Sequence, residues 1–100
     1  MPRVVISANA AADLHRVRVF LQEKNPTAAE RAAKVILAAL TTLTTDSLAN
    51  RPYPPMANAR EMVVRFGAYG YVVLYQFVPE VPLVTVLAVK HQRELGYRVP

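Results

Sequence analysis

Hydrophobic positions recur with two different periods along this chain, and the change of period separates a helical part from a strand-rich part. Residues 3–7 form a short β-branched run after a proline, which predicts a first strand. Apolar residues then recur every three to four positions, which predicts a helix over residues 10–22 that Ser7 or Asn9 caps. Its apolar face is expected to hold Ala10, Leu14, Val17 and Leu21, with Asp13, Arg16 and Glu23 pointing elsewhere.

The clearest local signal is the dipeptide Asn25-Pro26. Asparagine is a good N-cap residue, and proline is tolerated at the first helical position because its missing N–H would have no partner there. A second helix is therefore predicted from Pro26 to about Thr45. The residues expected on its apolar face are Ala29, Ala33, Ile36, Leu40 and Leu43. Two helices joined by so short a connection form an αα-hairpin.

The second half of the chain reads as strands. Residues 46–59 contain three prolines and predict a long connecting loop. Strict alternation over residues 60–66 predicts a strand with one buried face, and the nearly continuous apolar run 71–77 predicts a central strand. Residues 83–89 predict the last strand. The expected fold class is α+β: one domain over residues 1–100, with an N-terminal strand, an α-helical hairpin and a three-stranded antiparallel meander in one sheet.

Composition narrows the classes of function. The formal net charge is +5, which favours an acidic protein or a nucleic acid as partner. There is no cysteine, which excludes a disulfide, a thiolate nucleophile and a cysteine-based zinc site. No segment has the length of a membrane span or the layout of a signal peptide, so we expect no membrane association and a cytoplasmic protein. Histidines and carboxylates are not spaced as metal ligands and no glycine-rich phosphate loop occurs, so we expect neither metal nor cofactor.

Five segments together resemble the RelE/ParE superfamily of bacterial toxins, in order and spacing, over almost the whole chain. They are Ala11-Ala12-Asp13-Leu14, Asn25-Pro26-Thr27-Ala28-Ala29, Arg60-Glu61-Met62, Tyr71-Val72-Val73-Leu74-Tyr75 and Val86-Leu87-Ala88-Val89-Lys90-His91-Gln92-Arg93. The resemblance implies a type II toxin and a cognate antitoxin encoded beside it, which we expect to be acidic. That antitoxin is expected to lay a helix over the α-hairpin and an extended segment along a sheet edge.

The superfamily contains two chemistries. RelE-like members cleave messenger RNA on the ribosome, whereas ParE-like members poison DNA gyrase. The nuclease branch places an arginine after the first tyrosine of the central strand motif, and Val72 stands at that position here. A hydrocarbon cannot stabilise the charge that develops on a phosphoryl group. The resemblance therefore favours inhibition of gyrase, with ribosome-dependent mRNA cleavage as the alternative and a non-toxic interaction module as a third possibility.

The basic ending of the last strand supplies the candidate site residues. If the protein is a nuclease, the resemblance implies that its catalytic residues are Lys90, His91, Arg93 and Tyr97. Lys90 and His91 are adjacent and should point to opposite faces of the strand. The residues expected to bind the target or the antitoxin are Arg60, Arg65, Arg93 and Arg98. Arg60 and Glu61 also fit a structural role, as charges that pair across neighbouring strands.

Overall fold

A computed structural model describes residues 2–98 and has the α+β fold that the two periods predict. Its elements are β1 (Arg3–Ile6), α1 (Ala8–Lys24), α2 (Pro26–Thr42), β2 (Arg51–Pro52), β3 (Ala59–Phe66), β4 (Tyr69–Phe77) and β5 (Leu83–His91). The two helices cover one face of a single five-stranded sheet, and the other face is left open apart from short covering segments. We call these the covered face and the open face.

The strand order is β1-β5-β4-β3-β2, so β4 lies at the centre of the sheet. Strands β3, β4 and β5 form the predicted antiparallel meander, and β1 pairs with β5 in parallel. The prediction of a plain loop over residues 46–59 was wrong in one respect, because Arg51 and Pro52 pair with Glu61 and Arg60 as a fifth strand. That strand lies at the sheet edge, the one place where a residue without an N–H costs no ladder hydrogen bond.

The helix boundaries follow from side chains that satisfy free backbone groups. Ser7 caps α1 by accepting a hydrogen bond from the N–H of Ala10, and Asn25 caps α2 by accepting one from Ala28. Such a cap typically contributes about 1 kcal/mol. Helix α2 ends three residues earlier than predicted. Threonine hydroxyls near its end donate to main-chain carbonyls, as from Thr42 to Ala39, and residues 43–45 form turns instead of a further α-helical turn.

The core lies between the helices and the covered face. Tyr75 and Val73 of β4 are 0% exposed and pack with Ile36 of α2 and Val17 of α1. The hydroxyl of Tyr75 donates to the carbonyl of Ser47, so even this buried polar atom is paired. The continuous apolar run of β4 thus has the burial on both faces that was predicted for a central strand.

A tight turn joins β3 to β4 and requires two glycines. Gly67 has a φ of 62°, a conformation that residues with a side chain rarely adopt. At Gly70 a Cβ atom would lie 2.2 Å from the carbonyl oxygen of Val64, a distance that no side chain can occupy. This turn places Tyr69 at the end of the sheet beside the last residues of β5.

Asp13 lies where the helical pattern did not predict it. It was expected on the exposed face of α1, but it is 3% exposed, and its Oδ2 accepts a 2.8 Å hydrogen bond from the N–H of Val89. Strand β1 pairs with β5 only as far as Val86, so no residue of β1 lies beside Val89 to accept a hydrogen bond from its N–H. The carboxylate takes that place, which explains why a charged residue is buried at this point.

Candidate functional site

A β-bulge in β5 sets the face of the sheet on which each basic residue at the end of this strand lies. Leu74 pairs with Ala88 and Tyr75 pairs with Val86, so Leu87 is the extra residue on β5. Its carbonyl accepts hydrogen bonds from the side chains of Ser7 and Asn9 at the start of α1. Beyond the bulge the alternation resumes, with Val89 in the covered core.

Lys90 and His91 lie on opposite faces of the sheet, as their adjacency predicted, and the bulge sets which face each one takes. His91 contacts Tyr71 on the covered side, with the two ring centroids 5.6 Å apart. Lys90 lies on the open face, where its Nζ is 5.1 Å from the centroid of the Tyr97 ring. The four residues expected to act together in a nuclease are thereby divided into two pairs, Lys90 with Tyr97 and His91 with Arg93.

The open-face pair belongs to a small cluster in which hydrogen bonds join Tyr97, Glu61 and Arg51. We define this open-face cluster by Arg51, Tyr53, Glu61, Lys90 and Tyr97. The Tyr97 hydroxyl donates to Oε2 of Glu61, while Oε1 of Glu61 accepts from Nε of Arg51 at 3.1 Å. Tyr53 meets the Tyr97 ring edge-on at 5.7 Å, and the Nζ of Lys90 donates to the carbonyl of Glu94 at 3.2 Å.

This arrangement limits what Tyr97 can do chemically. Burial, together with the hydrogen bond to the Glu61 carboxylate and its negative charge, raises the pKa of Tyr97 well above its usual value. The phenol is therefore protonated at neutral pH. Val72, the position at which the resemblance expects an arginine in a nuclease, is 3% exposed and pairs with Lys90 across the strands.

The second pair of basic residues lines a groove on the covered side, at the end of the sheet. We call it the cationic groove and define it by Arg16, Phe20, Tyr69, His91, Arg93 and Arg98. Its cavity has a volume of about 670 Å³. The guanidinium carbon of Arg93 lies 3.8 Å from the centroid of the Tyr69 ring, and Arg93 also donates to the Tyr69 hydroxyl. His91 adjoins Tyr69, with ring centroids 5.9 Å apart.

Glu94 contributes a carboxylate to the lining of this groove and is held by a network of hydrogen bonds. Glu94 accepts hydrogen bonds from the N–H of His91 at 3.2 Å and from Arg16 at 3.0 Å, and Arg16 also reaches Asp13 at 3.4 Å. Burial favours a higher pKa for Glu94, but these hydrogen bonds and the charges of Arg16 and Arg98 outweigh it and lower the pKa below its usual value. Glu94 is therefore ionised at neutral pH. Sequence reasoning missed Asp13, Arg16 and Glu94, because neither spacing nor motif connects α1 with the end of β5.

The arginines expected to bind a partner lie in different places. Arg93 and Arg98 are exposed in the cationic groove. Arg65 is exposed on β3, where its strand partner is Gly70. Arg60 instead donates to the carbonyl of Asn50 at 2.6 Å and holds the segment before β2. Its neighbour Glu61 bonds to Arg51 across the strands, as the structural interpretation of that pair predicted.

A second groove runs between α1 and α2. We call it the helical groove and define it by Leu14, His15, Arg18, Ile36, Leu37 and Leu40. Its volume is about 390 Å³, and Leu37 at its rim is 65% exposed. Val17 and Leu21 of α1 line both grooves, so this helix forms the wall between them.

Within residues 2–98, no three histidine, aspartate or glutamate side chains are grouped in a way that would hold a metal ion. Over the same residues, neither helix has the length and apolar character needed to cross a bilayer.

Comparison with known proteins gives concordant results. Residues 4–96 match the family model described as the ParE toxin of the parDE type II toxin–antitoxin system. Toxin RelE3 of Caulobacter vibrioides is 34% identical over 94 residues, which cover 94% of this chain and 98% of that protein. Toxin RelE1 of the same organism is 35% identical over 75 residues, covering 75% of this chain and 78% of that protein.

A solved structure shares the fold. A chain of the chromosomal ParDE toxin–antitoxin system from P. aeruginosa superposes with a TM-score of 0.74, covering 91% of this chain and 96% of that chain. The sequence identity is 15%, so this likeness concerns the fold.

Proposed function

Because this chain belongs to the ParE toxin family of type II toxin–antitoxin systems, we propose that it arrests growth by inhibiting DNA gyrase. The observation that carries the choice of target is the chemistry of the open face. Val72 supplies no charge where the nuclease branch places a cation, and the Tyr97 hydroxyl is held by Glu61. Cleavage of RNA needs a base for the 2′-hydroxyl and cations for the developing phosphoryl charge. The cations of the open-face cluster are Lys90 and Arg51, and Arg51 is already paired with Glu61.

Inhibition of gyrase would instead depend on a protein surface. Arg65, Arg93 and Arg98 are exposed and available for such a contact, whereas Arg60 is bonded to the main chain of Asn50. Exposed apolar side chains also offer contact area, including Phe20 at 57% and Val63 at 37% exposure. Because gyrase acts on chromosomal and plasmid DNA inside the cell, this proposal places the protein in the cytoplasm.

We further propose that the antitoxin which this family implies is acidic and lays an amphipathic helix in the helical groove. The groove offers aliphatic side chains along two helices, and Leu37 is largely exposed in its absence. Arg18 and a chain charge of +5 complement an acidic partner.

The target is tested by giving the purified protein either gyrase with DNA and ATP or translating ribosomes with messenger RNA. We expect loss of supercoiling or trapped cleavage complexes in the first reaction and intact messenger RNA in the second. Tyr97→Phe, which keeps the ring and removes the hydroxyl, should retain the inhibition of gyrase.

Ribosome-dependent cleavage of messenger RNA, the alternative function, predicts the opposite result. If the protein cuts messenger RNA and leaves gyrase active, the proposed target is wrong. In that case Tyr97→Phe or Lys90→Ala should lower cleavage by about 100-fold or more, since one proton-transfer group or cation would dominate the reaction. Arg3→Ala, an exposed cation on β1, is a matched control.

A further inference from the structure

The cationic groove has the components of a site for single-stranded nucleic acid, and we propose that it binds such a strand. Flat faces come from the stacked pair of Arg93 and Tyr69, whose guanidinium carbon and ring centroid are 3.8 Å apart. Tyr69 is 45% exposed, and Phe20, which also lines the groove, is 57% exposed. Proteins that hold unpaired bases use such aromatic rings and arginine planes as stacking surfaces.

The charges of the groove suit a phosphate backbone. Arg16 is already neutralised by Asp13 and Glu94, at 3.4 Å and 3.0 Å. Arg98 makes a longer contact of 3.9 Å with Glu94 and its side chain is 65% exposed. Among the contacts of the described residues, the guanidinium group of Arg93 is hydrogen-bonded only to the uncharged Tyr69 hydroxyl, while its main-chain N–H donates to Nδ1 of His91. Two guanidinium groups of the groove lining therefore retain donors for phosphate oxygens.

A peptide fits this groove less well. An extended peptide would need free backbone groups on a strand edge, but the N–H of Val89 is bonded to Asp13 and that of His91 to Glu94. The carbonyl of Gly70 likewise accepts from the N–H of Gln92 at 2.9 Å. A helical peptide needs a long aliphatic stripe, and the helical groove provides one on the other side of α1. A nucleotide strand instead needs aromatic surfaces and cationic donors, and both are present here. Lys24 adds a further cation, since its Nζ lies 5.1 Å from the centroid of the Phe20 ring.

The proposal does not depend on gyrase as the target, because both a DNA strand and an RNA strand have this chemistry. Fluorescence anisotropy would be measured with labelled oligothymidylate and oligouridylate of about 12 nucleotides each. Titrations at about 50 mM and about 200 mM NaCl report the number of phosphate contacts. Preference for one oligonucleotide would identify which of the two strands the groove accepts.

We expect Tyr69→Ala to weaken binding by about tenfold or more, since one stacked base is lost. The double variant Arg93→Ala and Arg98→Ala should weaken it further and reduce the salt slope by about 1.4, or about 0.7 per phosphate contact. Arg3→Ala with Lys34→Ala is the matched control, because both cations are exposed outside the groove. Circular dichroism verifies that each variant is folded.

Three results would overturn the proposal. The first is an absence of binding to both oligonucleotides by the wild-type chain at the lower salt concentration. The second is equal binding by the groove variants and the control. The third is competition by an oligoglutamate peptide as strong as that by an unlabelled oligonucleotide of equal charge, which would identify a site for acidic protein segments instead.

Discussion

At the scale of single residues, the Asp13 side chain supplies a hydrogen-bond acceptor to β5 at a point that β1 does not reach. Strand β1 stops at Ile6, and the next free N–H group on that edge of β5, at Val89, is accepted by the Asp13 carboxylate. Arg16 on the following turn of α1 compensates the buried charge. Val72 is a buried hydrocarbon at the position where the resemblance expects a nuclease to carry an arginine.

Replacing Asp13 by alanine should lower the free energy of unfolding by about 1–3 kcal/mol, because the buried N–H of Val89 would lose its acceptor. Urea unfolding followed by circular dichroism measures the difference. Glu30→Ala, at an exposed position of α2, is the control and should change stability by less than about 0.5 kcal/mol. Equal stability of the two variants would show that the hydrogen bond does not stabilise the fold.

At the scale of elements, the segment after β5 is held by side chains and not by helical or strand structure. Glu94 ties it to α1 through Arg16 and to β5 through the N–H of His91. Tyr97 ties it to β3 through Glu61. These two attachments set the positions of Arg93 and Arg98, so the shape of the cationic groove depends on them.

The Glu94 attachment should depend on pH in one direction. Its pKa in the folded chain is lowered, so the stability it contributes is complete above the unfolded pKa of about 4.5 and is lost as the pH falls through the folded value. We expect Glu94→Gln to be less stable than the wild type by about 1 kcal/mol near pH 7, since the carboxylate is partly exposed.

The difference between the two proteins should become smaller below about pH 4.5, where protonation removes the charge from wild-type Glu94 as well. Chemical denaturation at a series of pH values measures it. A difference that does not change with pH would mean that the hydrogen bond to the main chain, and not the charge, holds this segment.

At the scale of the whole molecule, helix α1 separates two grooves of different character. The helical groove is aliphatic and suits a helix, whereas the cationic groove is aromatic and carries arginines. Val17 and Leu21 line both grooves. A partner bound in one groove therefore contacts side chains that also line the other groove. The proposed antitoxin and the proposed nucleic acid strand would therefore occupy different surfaces.

Separation of the surfaces makes a specific variant informative. Leu37→Glu should abolish rescue of growth when the neighbouring antitoxin is coexpressed, because a charge is introduced into the helical groove, while the toxicity of the chain alone is retained. Leu48→Glu is the matched control, since Leu48 is 54% exposed and lies outside both grooves. Rescue of both variants would place the antitoxin elsewhere, and loss of toxicity in Leu37→Glu would show that the two surfaces are not independent.

Apart from β2, which forms only by pairing with β3, the helices and strands of this protein were determined by local features of its sequence. The Asn25-Pro26 cap, the period of three to four in the helices and the continuous apolar run of β4 each act over a few residues, so they can be recognised without knowing the fold. The resemblance also led to the prediction, from the place of Val72 in the central strand motif, that a nuclease site would be incomplete.

Only the tertiary structure decided which side chains meet. The hydrogen bond from Val89 to Asp13 joins residues 76 positions apart, and the one from Arg16 to Glu94 joins residues 78 apart. The bulge at Leu87 shifts the alternation in β5 by one residue and so sets the faces of Lys90 and His91. Such pairings depend on strand order, register and helix placement, which are properties of the packed chain and leave no periodic signal along it.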